Sequence, residues 1–197
     1  MEKDNFILYD SFNKALSKDE FEQAKAAYLS LLTENKYAIK NADTIYDLID
    51  NIKRTPEKVG PYKNISVFEA LNRIGSDLVL LSGATILFKN EVEGIEPQKI
   101  HLKMGTTHGF DFEVILKDNK KIFGEAFNAA ESFCKFKMRQ AIHKLIDKNP
   151  DVNAKEGIVF INAEVKETIE KYVNTKEKTA IVNANFKIHR VYCDKIK

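Results

Sequence analysis

The amino-acid sequence predicts an α/β fold, with a mixed central β-sheet of about five strands flanked by helices and a helical region at the N-terminus. Two observations support this fold class. Apolar residues recur with a helical period through the first half of the chain, whereas much of the second half alternates as strands do. A helical segment also separates two of the later strands, and such a crossover implies parallel neighbours joined by a right-handed connection.

The N-terminal third is predicted to be helical. Phe21 and Tyr28 belong to an apolar stripe that begins after a capping-box pattern. Residues 55–63 contain two prolines and a glycine, and this composition favours a linker. We therefore divide the chain into a helical region, residues 1–55, and a core, residues 56–197, which together are expected to form one compact unit.

Within the core, the predicted order is helix, three strands, helix, strand, helix, strand. The first helix begins at Ser66, and Gly75 and Gly83 are candidate break points in it. The predicted strands cover residues 100–104, 110–116, 121–127, 157–163 and 179–191, and the later helices cover residues 129–147 and 164–173.

Composition narrows the class of protein. A net charge of +2 and an isoelectric point of about 8.3 argue against a strongly basic protein that coats nucleic acid non-specifically. Cys134 and Cys193 have no metal-ligand spacing, so buried free thiols in a reducing compartment are expected. The N-terminus lacks a signal-peptide pattern, and the longest apolar stretch, residues 78–88, is too short to span a membrane. These features predict a cytoplasmic protein.

The candidate chemistry is carried by two carboxylates on consecutive strands. A polar turn at Asp118-Asn119 would bring Asp111 and Glu125 opposite each other, on strands about 4.8 Å apart. Carboxylate oxygens are the ligands that Mg²⁺ prefers, and Mn²⁺ could substitute for it. Alternatively, both acids lie on the solvent face of an ordinary alternating hairpin, since Glu113 shares its parity with Asp111.

Three segments resemble a known family. They are His108 to Phe112, Gly124 to Asn128, and Ser132-Phe133 with Lys137 after them. In this order they resemble a variant branch of the PD-(D/E)xK nucleases, the restriction-endonuclease-like superfamily, in which the next helix supplies the lysine. The resemblance covers about residues 65–163. Phe110 stands where the superfamily usually has proline, and Phe127 stands where it usually has lysine.

The resemblance implies Mg²⁺-dependent hydrolysis of DNA phosphodiester bonds. Asp111 and Glu125 would bind the metal, and Lys137 would act on the attacking water or the phosphate. Glu69, on the helix before the sheet, is a further candidate metal ligand, although a capping box with Ser66 also accounts for it. Small free-standing members of the superfamily are often type II restriction endonucleases, which implies a homodimer acting on double-stranded DNA.

Two questions stay open at the level of sequence. Lys135 and Lys137 flank the apolar stripe of their helix on opposite sides, so periodicity does not choose between them, and both could be solvated surface lysines. His108 is a candidate for the rim of the site. The alternative function is an inactive nucleic-acid-binding or protein-interaction module on the same fold, with Phe127 marking the lost activity.

Overall fold

A computed structural model describes residues 5–34, 42–105, 109–151 and 154–194. Over these residues the chain forms a five-stranded mixed sheet flanked by helices, with further helices at the N-terminus, as the sequence predicts. The helices are α1 (Tyr9–Phe12), α2 (Lys18–Glu34), α3 (Ile45–Lys53), α4 (Val67–Phe88), α5 (Glu131–Asp147), α6 (Lys166–Tyr172) and α7 (Lys178–Asn183). The strands are β1 (Pro56–Val59), β2 (Tyr62–Ser66), β3 (Pro97–Leu102), β4 (Phe112–Leu116), β5 (Lys121–Phe127), β6 (Glu156–Asn162) and β7 (Lys187–Cys193).

The main sheet has the strand order β3-β4-β5-β6-β7. Strands β3, β4 and β5 form an antiparallel meander, and β5, β6 and β7 are parallel neighbours. Helix α5 connects β5 to β6, and α6 and α7 lie between β6 and β7. The predicted order of elements from α4 onward is therefore confirmed, including the crossover that makes the sheet mixed.

Helix α4 covers one face of the sheet. It runs unbroken through both Gly75 and Gly83, contrary to the expected break. Gly83 is needed for packing, because a Cβ there would lie 2.3 Å from the ring of Phe160, which itself stacks on Phe112 at 4.1 Å. Among the described residues, α4 is the one helix long and apolar enough to cross a membrane, and in this fold it packs on the sheet.

The opposite face of the sheet is covered by α5 and α6. Met138 and Leu145 of α5 pack with Val159 and Ile161 of β6 in a second apolar cluster. Cys134 belongs to this cluster, and Cys193 belongs to the cluster on the α4 side. Both thiols are buried and free, as predicted.

The N-terminal helices share the α4-side core. Phe12, Phe21 and Tyr28 are buried in the same cluster as α4 and the sheet. The predicted linker, residues 55–63, is wrong: β1 and β2 form an antiparallel hairpin here. Proline can begin a strand without disturbing the ladder, and Gly60 adopts a φ of +55° in the turn, so both residues fit a hairpin as well as a linker.

The last predicted strand also begins too early. Residues 179–183 belong to α7, and β7 begins only at Lys187. Three of the six residues of α7, Thr179, Ile181 and Val182, are β-branched and favour a strand, which explains the error. The helix ends where Asn185 adopts a φ of +48° and Phe186 N–H donates to Ile181 O at 3.1 Å, an arrangement typical of helix C-termini. Predicted helix 164–173 is α6, preceded by a 3₁₀ turn at Ala163–Val165.

Candidate active site

The β4–β5 hairpin brings Asp111 close to Glu125. The paired register ends at Phe112 and Gly124, and Asp111 and Glu125 are the next residues outward. The backbone N–H of Asp111 donates to Gly124 O at 3.1 Å, one residue out of that register, so the pairing becomes irregular just before β4 begins. The turn of the hairpin is at Asn119, which has a φ of +65°. The two carboxylates are therefore neighbours, and the charge of Asp111 acts on Glu125.

Asp111 is held by the neighbouring strand. Its Oδ2 atom accepts a hydrogen bond of 2.8 Å from the backbone N–H of Ala126. Burial raises the pKa of this carboxyl above its ordinary value, and the Ala126 N–H and the charges of Lys144, Lys137 and Lys103 oppose the rise. The side chain is thus fixed in position but poorly solvated, a state that a bound cation would stabilise.

Glu125 lies on the same face and is less completely bonded. Its side chain is 12% exposed, and Oε1 lies 2.6 Å from Nζ of Lys144. Oε1 is buried, and its contact among the described residues is this ion pair with the Lys144 ammonium. Burial and the nearby charge of Asp111 raise the pKa of Glu125 to about 7, against the opposing effect of Lys144.

Lys144 is the site lysine that sequence reasoning missed. Its Nζ atom also donates to Gly109 O at 2.6 Å and lies 5.3 Å from the centre of the Phe110 ring. Gly109 has a φ of +75°, a conformation that glycine adopts readily and that belongs to the bend before Asp111. Lys144 lies seven positions after Lys137, nearly two helical turns, and that spacing could have identified it.

The two predicted lysines lie in different places. Lys137 lines the cleft that contains Asp111 and Glu125, and its positive charge lowers the pKa of Asp111. Lys135 lies on the same helix, and it is exposed and does not line the cleft. Lys137 therefore acts on Asp111 through its charge, whereas Lys144 is in direct contact with Glu125.

Glu69 lines the cleft but is held by another residue. Its carboxylate pairs with Arg73 at 2.8 Å, and its backbone N–H donates to Ser66 Oγ at 3.2 Å. The structure therefore brings Glu69 into the cleft as part of an ion pair on α4. Its exposed position at the start of the helix separates it from the buried end of β5.

The acid of α4 that is buried in the cleft is Asp77. Its Oδ2 atom accepts hydrogen bonds from the hydroxyls of Tyr28, at 2.8 Å, and Tyr62, at 2.5 Å. Burial raises the pKa of Asp77 to about 7, and the two tyrosines and Arg73 oppose the rise. Asp77 lies among the buried, otherwise apolar residues of α4. An acid in such a stripe is a sequence signal for a buried polar site, and it could have identified Asp77 in place of the capping residue Glu69.

The cleft has a volume of about 870 Å³. One wall of the cleft is the first half of α4, and the other is α5 from Lys137 onward together with Lys148, which follows the helix. Asp111 and Glu125, from the β4–β5 hairpin, lie between the two walls. Phe127, at the usual position of the superfamily lysine, is 5% exposed and packs in the α5-side apolar cluster. Phe127 therefore belongs to the apolar core, and the lysines that line the cleft beside it, Lys137 and Lys144, come from α5.

The carboxylate pair fits a divalent cation in its chemistry. It supplies hard oxygen donors, and one buried oxygen has no hydrogen bond. Across the described ranges there is no group of three or more His, Cys, Asp or Glu side chains placed to hold a metal ion. A cation at Asp111 and Glu125 would therefore need water and substrate oxygens to complete its shell, as Mg²⁺ usually does.

His108, the candidate for the rim, lies outside the described residues. No family model, curated protein or solved structure matches this chain.

Proposed function

We propose that this protein is a metal-dependent endonuclease that hydrolyses DNA phosphodiester bonds. The observation that carries the proposal is the buried pair of Asp111 and Glu125, neighbours on a hairpin at the floor of a lysine-lined cleft. The resemblance to PD-(D/E)xK nucleases adds the finer proposal of a cytoplasmic type II restriction endonuclease that acts as a homodimer on double-stranded DNA.

Asp111 and Glu125 are the residues that would hold Mg²⁺. When bound, the metal would supply activation of water and neutralisation of phosphate charge. Asp111 is already oriented by the Ala126 N–H, so its free lone pairs are fixed in direction. Glu125 has a buried oxygen that is ion-paired with Lys144. The pair therefore combines one carboxylate held by a backbone N–H with one held by a lysine.

The lysines would position the phosphate and oppose its charge. The positive charges of Lys103, Lys137 and Lys144 all act on Asp111, so the acidic pair is surrounded by cations. An ammonium has three N–H donors, and Lys144 uses one on Gly109 O while its charge pairs with Glu125. A remaining N–H would orient a water or stabilise charge on a phosphate oxygen in the transition state.

The test is cleavage of DNA by the purified protein in Mg²⁺ or Mn²⁺, compared between the wild type, Asp111→Asn and Glu113→Gln. Asparagine keeps an acceptor for the Ala126 N–H but removes the charge that would bind metal. We expect Asp111→Asn to reduce cleavage by at least about 100-fold, since even indirect supports of metal ligands cost up to about that factor.

Glu113 is the matched control. It lies on β4 with the parity of Asp111, but it pairs with His101 and Lys121 and does not line the cleft. Glu113→Gln should therefore cleave like the wild type. Equal cleavage by Asp111→Asn and the wild type would contradict the proposal. Folded wild-type protein that binds DNA but cuts no DNA or RNA in either metal would instead support the inactive binding module.

A further inference from the structure

Two phenylalanines on α5 are exposed beside the cleft. Phe133 is 50% exposed and Phe136 is 51% exposed, and their ring centres are 5.0 Å apart with planes at 42°. Exposed rings that sit together, rather than scattered singly, mark a surface that contacts something else. The question is which chemistry they would contact.

Phe133 continues the cleft-facing stripe of α5. At 100° per residue, Phe133, Lys137 and Lys144 lie within about 40° of one another on the helix. Lys137 and Lys144 line the cleft, and Nζ of Lys137 lies 6.0 Å from the centre of the Phe133 ring. A chain that leaves the carboxylates along this wall therefore meets Lys137 first and the Phe133 ring next.

The opposite wall carries a similar arrangement. Phe68, in the first turn of α4, is 49% exposed and lines the cleft. Nζ of Lys53 lies 5.3 Å from the centre of its ring. Each wall therefore presents an exposed aromatic ring with a lysine ammonium close to it.

We propose that the DNA strand crossing this cleft is unpaired, with bases stacked on Phe133, Phe136 and Phe68. This inference rests on the proposed nuclease function, and it replaces the fully paired duplex that the family resemblance implies with DNA that contains an unpaired stretch. Paired bases have their faces covered by their neighbours, whereas every unpaired base offers a face to an aromatic ring. Lys137 and Lys53 lie where backbone phosphates would pass.

Charge complementarity favours a nucleic acid over a second copy of the chain. Phe133 and Phe68 each have a lysine ammonium close to the ring, and the charges of Lys103, Lys137 and Lys144 act on Asp111 in the cleft. Interfaces between protein copies are instead depleted of lysine at their core. A strand that combines negative phosphates with flat apolar bases matches both features.

The test is binding without cleavage, by fluorescence anisotropy in EDTA at low salt. Three dye-labelled probes share one strand of about 20 nucleotides: the single strand, its full duplex, and the duplex with a central mismatched bubble. We expect the single strand and the bubble to bind at least about tenfold more tightly than the duplex. Phe133→Ala with Phe136→Ala should lose at least about fivefold on the first two probes and less than about twofold on the duplex.

Conservative and distant variants complete the test. Phe133→Tyr keeps an aromatic face and should retain binding, while Val182→Ala truncates an apolar residue of α7 that is even more exposed, at 65%, and should change nothing. Duplex binding as tight as single-strand binding would overturn the inference, while metal-dependent cleavage that needs Asp111 would leave the proposed function standing. Dissociation of a dimer by the phenylalanine variants, with unchanged probe preference, would also overturn it and assign the rings to a protein interface. Failure of all probes to bind, with no cleavage, would count against both proposals.

Discussion

The cleft contains two acidic centres that differ in how completely they are bonded. Asp77 accepts two tyrosine hydroxyls on one oxygen. In the second centre, Asp111 accepts a hydrogen bond from the backbone N–H of Ala126. The buried Oε1 atom of Glu125 has an ion pair with Lys144. Burial raises the pKa of Asp77 and Glu125 alike to about 7, so desolvation alone does not distinguish them.

The difference separates a structural acid from a binding acid. Buried polar groups in native proteins are nearly always hydrogen-bonded, and an exception calls for an explanation such as an ion. The two tyrosines hold Oδ2 of Asp77 with fixed hydroxyl donors from within the fold. The buried Oε1 atom of Glu125 is instead held by an ion pair with the Lys144 ammonium. Asp77 therefore supports the cleft wall, whereas the β4–β5 pair, which lies beside the lysines of the cleft, is the part suited to ligand binding.

The largest expected effect is on stability at Asp77. Asp77→Ala would remove the acceptor that the hydroxyls of Tyr28 and Tyr62 share in the core, at about 1–3 kcal/mol for each lost hydrogen bond. We expect the free energy of unfolding, measured by urea denaturation, to fall by about 2–6 kcal/mol. Asp77→Asn offers a carbonyl oxygen to both hydroxyls and should lose much less. Equal losses in the two variants would show that the hydroxyls do not depend on this acceptor.

The next largest effect is expected at Lys144, because, of the two acidic centres, it contacts the Asp111–Glu125 pair, through Glu125. Lys144→Ala should reduce the rate of DNA cleavage by about 10²–10³-fold, the usual effect of removing one charge-stabilising donor. Lys135→Ala, on the same helix but outside the cleft, is the matched control and should cleave normally. Lys137→Ala, whose Nζ lies beside the Phe133 ring, should weaken DNA binding more than the chemical step. Unchanged cleavage in Lys144→Ala would remove this residue from the mechanism.

A smaller effect is expected in the pH dependence of stability. Asp77, Asp111 and Glu125 have raised pKa values in the folded protein, so they hold protons that the unfolded chain has already released. Their contribution to stability is present below the unfolded values, about 4, and is lost as the pH rises through the folded values, which are about 7 for Asp77 and Glu125. Urea denaturation without metal should therefore show lower stability at about pH 7.5 than at about pH 5.5.

Two sets of neutral variants divide this slope between the centres. Asp77→Asn should flatten one part, and Asp111→Asn combined with Glu125→Gln should flatten the other. The carboxyls whose pKa is lowered, such as Glu156 and Glu170, act in the opposite direction and at lower pH. A slope that is unchanged in all these variants would contradict the burial of the three acids.

The position of the carboxylate pair could be predicted from the sequence because it depends on local structure. A turn at Asp118-Asn119 fixes the register, and register decides which residues face each other. Lys144 and Asp77 could not be assigned in the same way, since each reaches the cleft through tertiary packing of a helix. The sequence placed Lys137 on the correct helix, but the length of α5 and its angle across β5 decide which lysine touches Glu125.

The fold shows the same division. Alternation and the crossover helix predicted the five strands β3 to β7 in the correct order along the chain. The last of them, β7, begins later in the structure than predicted. The β1–β2 hairpin was missed because Pro56 and Gly60 favour a linker and a hairpin equally when no partner strand is known. Local chemistry gives turns and periods, whereas the choice between alternatives that share those signals depends on packing.

The central claim is that Asp111 and Glu125 bind a divalent cation. The most direct measurement is a titration with Mn²⁺ at about pH 8, above the pKa of about 7 of Glu125, with free Mn²⁺ followed by electron paramagnetic resonance. The wild type and Glu113→Gln should show a site that Asp111→Asn and Glu125→Gln both lack, and that weakens as the pH falls below about 7. The same Mn²⁺ binding in all four proteins would contradict the account. So would the absence of the site from the wild type when the titration is repeated with DNA present.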